Sequence, residues 1–212
     1  MITGRQQPLR DVDLLVAEIA KNEGPTGLGF TYSLRAEGAA QYAYTKEVAG
    51  VATSEDPNDT AKYYSKVLLA GVSVERSGLA TQALAAIDIA SYDLKSKRAN
   101  LPLAKFLGSY CDLVRTYKTS VGYLGSSFDE VKHAASQSIE RGIGGIECKV
   151  GLPDRRKDVK KIEAFRGRIE ETPRMVDANQ QWDRTTALRM GSVLDAFDLT
   201  WSEEPLDAQY GY

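Results

Sequence analysis

The chain has 212 residues, of which 42% are hydrophobic and 26% charged, with a net charge of −2. This is the composition of a globular chain of one large or two small domains, and its near-neutral balance argues against nucleic acid or an anionic membrane as partner. No apolar run approaches the roughly 18–20 residues of a membrane span and the start does not read as a signal peptide, so a cytoplasmic protein with no membrane contact is expected.

DVDLLVAEIA (11–20) precedes a Gly/Pro turn and an aromatic run, KNEGPTGLGFTYS, and the two predict a hairpin. GLGF within it is not a phosphate loop, because no Lys-Ser/Thr follows and no helix starts there. EDPNDTAKYYSKVLLAG (55–71) predicts a helix through Tyr63, Val67 and Ala70. GLATQALAAIDIASYDLKSKRA (78–99) predicts a helix with Leu84, Ile87 and Leu94 on one face, and its alanines allow close packing. LPLAKFLG (101–108) reads as a short turn or helix and a junction.

The rhythm then changes. LVRTYKTSVGY (113–123), GIECKVG (145–151), RMVDAN (174–179) and LTWSEEP (199–205) read as strands. Between them lie three helices: 127–143, opened by a Ser cap and closed at Gly142; 154–170, with Val159, Ile162, Phe165 and Ile169 on one face; and 183–198, with Asp183 at its start. Apolar strands alternating with helices predict parallel βα units. The fold class is therefore α/β: an α+β domain over 1–112, then about four βα units over 113–212. Cys111 and Cys148 are too few and too far apart for a disulfide framework and read as two buried thiols. His133, the single histidine, falls on an outer helix and is not expected to be catalytic.

Lys149, Asp177 and Glu203 each fall near the C-terminal end of successive strands, 28 and 26 residues apart, or one βα unit each. In a βα barrel those ends form the active-site rim, and adjacent strands lie about 4.8 Å apart. Asp177 and Glu203 should thus meet, with Lys149 beside them, as oxygen ligands suited to a hard cation such as Mg2+. Asn179, two residues past Asp177, is placed on the same side and can hydrogen-bond a ligand. Glu147 shares a side with Lys149, so a carboxylate and an ammonium are aimed together.

The ordered set ECKVG (147–151), MVDANQQWD (175–183) and WSEEPLDA (201–208) resembles the enolase superfamily in its mandelate racemase/muconate lactonizing enzyme-like group. Within it the longer stretches look closest to acid-sugar dehydratases acting on talarate- and galactarate-like substrates. The resemblance implies an α+β capping domain followed by an enolase-type (β/α)7β barrel, of which this chain supplies the first half. It implies a Mg2+ site with Asp177 and Glu203 as two of three carboxylate ligands, and Lys149 as the base that removes the proton α to a carboxylate. An enediolate would follow, stabilised by the metal, and the β-hydroxyl would leave. Racemisation or epimerisation of the same substrate class, and a non-catalytic half-barrel remnant, are the alternatives. The implied partner is a small aldarate or aldonate, and the implied assembly a homo-oligomer. Capping-domain loops would select the substrate, which makes 29–47 the candidate loop and Arg35, Tyr42 and Lys46 its candidate contacts. Glu204 would point away from the site, paired with an arginine.

Two departures from the family pattern stand out. Glu147 occupies the place of the first lysine of a Lys-x-Lys motif, and a carboxylate there favours the charged form of Lys149, making it a poor base. A full barrel takes eight strands and about 250 residues, so the third metal ligand and a His–Asp pair are expected from strands this chain does not supply. Little or no turnover is expected of the 212 residues alone.

Overall fold

A computed structural model describes residues 11–20, 23–34, 37–52, 55–56, 59–74, 78–169 and 172–208. Residues 11–112 and 113–208 form two separate compact units.

In the first unit, β1 (Asp13–Ile19) and β2 (Gly27–Ser33) form an antiparallel hairpin with Val16 opposite Phe30. Three helices follow: α1 (Gly38–Ala52), α2 (Thr60–Ala70) and α3 (Gly78–Arg98), with the single turn α4 at Leu103–Phe106. The expected loop over 29–47 is thus corrected: residues 29–33 lie in β2 and residues 38–47 in α1. Its alanines and straight-chain residues favour helix, and Val48 on its inner side packs with Tyr63, Val67, Leu84 and Ile87.

The GLGF glycines serve packing. A Cβ on Gly27 would lie 2.1 Å from the Ala90 carbonyl oxygen, and one on Gly29 would lie 2.0 Å from that of Ala86. The Ala83, Ala86 and Ala90 face of α3 therefore sits directly on β2, and only glycine fits beneath it. The larger side chains of the hairpin turn outward, so Val12, Leu14, Val16, Leu28, Phe30 and Tyr32 are each more than half exposed.

The second unit is a parallel sheet in the order β3 (Lys118–Gly122), β4 (Ile146–Lys149), β5 (Arg174–Asp177), β6 (Trp201–Glu203). The connecting helices are α5 (Phe128–Glu140), α6 (Arg155–Ile169) and α7 (Arg184–Leu194). Ser127 and Glu130 form a reciprocal capping box at α5, and Asp183 caps α7 by accepting from the Thr186 N–H at 2.6 Å. Residues 113–117 were expected in the first strand but lie outside β3, although the Thr116 carbonyl still accepts from the Gly144 N–H at 3.0 Å. Ile146, Cys148, Val150 and Val176 turn to the helix layer, against Val131, Ala135, Ile162, Phe165 and Met190. On the opposite face the rings of Tyr117, beside β3, and Trp201, on β6, meet edge-on at 5.1 Å. Three strand spacings of about 4.8 Å would hold them farther apart on a flat sheet, so the sheet curves toward this face. No described helix is long and apolar enough to cross a membrane. Cys148 is buried as expected, whereas Cys111 is exposed, outside the helices and strands.

Candidate active site

The register of the sheet builds the site. Lys149 pairs with Asp177, and Asp177 with Glu203, across three adjacent parallel strands. Alternation puts Glu147, Lys149 and Asp177 on the face opposite the helices. Lys149 Nζ lies 2.5 Å from Glu147 Oε1 and 2.5 Å from Asp177 Oδ2. Its side chain retains 17% exposure, against 1% for Glu147 and 4% for Asp177, so the pair of ion pairs opens to solvent only on the lysine side.

Burial by itself would lower the Lys149 pKa, but the hydrogen bonds to Asp177 and Glu147 outweigh it and hold the ammonium above its ordinary value. Burial pushes Glu147 up, and the negative charges of Glu203 and Asp177 add to this while Lys149 opposes it. The expected internal pair of Glu147 and Lys149 is thus present, with Asp177 as a second anion on the same ammonium.

Asn179 has a left-handed backbone, φ 46°, just past the strand end. Its main-chain N–H donates to Asp177 Oδ1 and its side-chain amide to Asp177 Oδ2, both at 2.6 Å. Asn179 therefore orients the Asp177 carboxylate. The residues on either side of it are tied to the end of β6: Gln180 N–H donates to the Glu204 carbonyl at 2.8 Å and Ala178 N–H to that of Glu203 at 3.0 Å. Glu204 is exposed and its side chain accepts from Gln180 Nε2 at 3.2 Å, in place of the expected arginine. The Glu203 carboxylate is half-buried, with no hydrogen bond or ion pair to another described residue.

This donor set suits a hard divalent ion. Three carboxylates against one ammonium leave two negative charges at the rim, and Asp177 and Glu203 present oxygen atoms from neighbouring strands. Among the described residues no group of three or more His, Cys, Asp or Glu side chains converges to hold a metal. The fit is that of a two-carboxylate site, which Mg2+ tolerates by keeping waters.

Tyr42 and Lys46 lie in the other unit, one helical turn apart and exposed on α1; Arg35 lies outside the described residues. His133 is exposed on α5. Sequence reasoning missed two charged residues, Asp158 and Lys161, which are buried on α6 beneath the site. The only signal for them was their position within the apolar stripe of Ile162 and Phe165.

Residues 7–108 match the mandelate racemase/muconate lactonizing enzyme N-terminal domain, and residues 130–211 match the enolase C-terminal domain-like family. The L-talarate/galactarate dehydratase of Salmonella typhimurium is 52% identical over 98% of this chain and 52% of its own length. A 3,6-anhydro-alpha-L-galactonate cycloisomerase of Streptomyces coelicolor is 35% identical over 93% of this chain and 55% of its own. The crystal structure of the Salmonella dehydratase liganded with Mg and L-lyxarohydroxamate superposes with a TM-score of 0.92, at 52% identity, over 97% of this chain and 53% of that one. A Polaromonas L-talarate dehydratase complexed with Mg and L-glucarate gives 0.90 at 53% identity, over 97% of this chain and 56% of that one. The chain thus spans about half the length of the relatives it matches. With both family domains matched in order along it, the chain belongs to the mandelate racemase/muconate lactonizing enzyme group of the enolase superfamily.

Proposed function

We propose that this chain carries part of the site of a Mg2+-dependent acid-sugar dehydratase, a carbon–oxygen hydro-lyase acting on talarate- or galactarate-like dianions. The observation that carries the reading is the register of Lys149, Asp177 and Glu203 across β4, β5 and β6. The similarity to dehydratases whose structures hold Mg and sugar-acid ligands supports it. The curved four-stranded sheet supports assigning residues 113–208 to the first half of an enolase-type barrel, after an α+β capping domain in the sequence.

Asp177 and Glu203 would hold the ion. Bound there, it would stabilise negative charge gathering on the substrate carboxylate as the α-proton leaves. Asn179 keeps the Asp177 carboxylate turned toward the rim. Lys149 Nζ is the atom assigned to take the α-proton, and only its neutral form accepts one. Its two carboxylate neighbours hold it as an ammonium, so proton abstraction is impaired in the arrangement seen here. Tyr42 and Lys46, on one exposed side of α1, are assigned to substrate contact.

Calorimetric Mg2+ titration tests the assignment. Asp177→Asn and Glu203→Gln should each weaken binding at least tenfold; unchanged affinity in both would remove the metal site. With galactarate and Mg2+, the 212 residues should form keto acid far more slowly than the roughly 1–1000 per second of ordinary enzymes. Inversion of configuration without keto acid would favour an epimerase.

A further inference from the structure

Lys161, two turns into α6, is 2% exposed. Its ammonium donates to the main-chain carbonyl of Tyr123 at 2.5 Å and lies 3.4 Å from those of Gly122 and Lys149. Among the described residues its hydrogen bonds all go to carbonyl oxygens, and it forms no salt bridge. Gly122 ends β3, Tyr123 follows it, and Lys149 ends β4. One turn earlier on the same face, Asp158 accepts from the N–H groups of Gly151 and Leu152, both at 3.0 Å. A cation and an anion on one helix therefore grip one short stretch, Lys149 to Leu152, from its two kinds of backbone group.

Packing does not call for a lysine here. A buried ammonium carries a heavy desolvation cost, and an apolar side chain of similar length would fill the space without it. What the ammonium adds is three directed hydrogen bonds spanning two strand ends. We propose that Lys161 is a positioning residue: by tying the Lys149 carbonyl to those of Gly122 and Tyr123, it fixes the backbone from which the Lys149 side chain enters the site. This rests on the assignment of Lys149 as the functional lysine.

The test is amide hydrogen exchange, read by NMR, on the 212-residue chain carrying Lys161→Met or Lys161→Arg. Val150 N–H, bonded to the Asp177 carbonyl at 2.9 Å, reports on the strand end; Ala187 N–H, bonded to the Asp183 carbonyl at 2.8 Å, is the control on α7. In Lys161→Met, Val150 exchange should rise at least tenfold with Ala187 within threefold of the unsubstituted chain. Lys161→Arg, which keeps a cationic donor, should hold Val150 within threefold. Val150 unmoved in the Met variant, or Val150 and Ala187 accelerating together, overturns the proposal. Should the Met variant fail to fold, the Arg variant decides: protected Val150 supports the tie, and exposed Val150 or loss of fold overturns it. Since the readout is backbone protection and not metal binding, Mg2+ affinity unchanged in both Asp177→Asn and Glu203→Gln would refute the functional reading and leave this inference standing.

Discussion

Replacing Asp158 by Asn should remove the pH dependence that this residue gives to stability. Asp158 is fully buried; Oδ2 accepts two main-chain N–H groups, while Oδ1 has no hydrogen-bond partner among the described residues. Burial pushes its pKa from an ordinary 3.8 to about 6, against the two N–H groups and the Lys161 charge, which pull it down. A folded-state value above the unfolded one means stability fully present below 3.8 and lost as pH rises through about 6. At about 1.4 kcal/mol per unit, the ionised carboxylate costs about 3 kcal/mol at neutral pH. In Asp158→Asn the amide oxygen keeps both N–H bonds, and the NH2 group takes the unpartnered place of Oδ1. That leaves a roughly constant penalty of about 1 kcal/mol but no charge to bury. Urea unfolding followed by circular dichroism from pH 4 to pH 7.5 gives the stability difference between variant and parent. It should move by about 2–3 kcal/mol in favour of Asn as pH rises. A flat difference, or one moving against Asn, would mean that the N–H pair and Lys161 outweigh burial, and the reasoning would be wrong.

The close fit of β2 beneath α3 predicts that Gly29→Ala loses at least about 2 kcal/mol in urea unfolding, because the new methyl meets backbone atoms that cannot turn aside. Gly50→Ala, with nothing within 4 Å on α1, should instead be neutral or gain up to about 1 kcal/mol. Lys149→Met strands the buried Glu147 carboxylate and should cost about 3 kcal/mol at pH 7. Adding Glu147→Gln to that variant should recover more than half of the loss, and a double-mutant cycle with no coupling would show that the pair is not energetically real.

Each level of the molecule was legible in the sequence to a different degree. The βα spacing brought Lys149, Asp177 and Glu203 to the ends of three strands, and the structure has them in register. Those are local facts: one strand–helix–strand unit has a fixed length, and alternation along a strand fixes which side a residue faces. Ser127 and Asp183 were likewise readable as caps, because a cap acts on the N–H groups two or three residues ahead.

What the sequence left open depends on contacts between residues far apart in the chain. Residues 38–47 read as a loop, yet they form the start of α1 because Val48 and its neighbours on that helix pack against α2 and α3. The aromatic residues of the hairpin face outward because α3 covers the glycine side of β2. Asn179 faces Asp177 through a left-handed turn that strand alternation does not foresee. Asp158 and Lys161 look like solvated charges on a basic helix, and only the ends of β3 and β4 meeting α6 make them buried. Periodicity, spacing and capping are written in neighbouring residues, so the sequence alone determined the alternation of strands and helices in the second unit and the three residues at the rim. Burial and the pairing of charges are set by which surfaces come together, so the tertiary structure decided what lies under the rim and holds it in place.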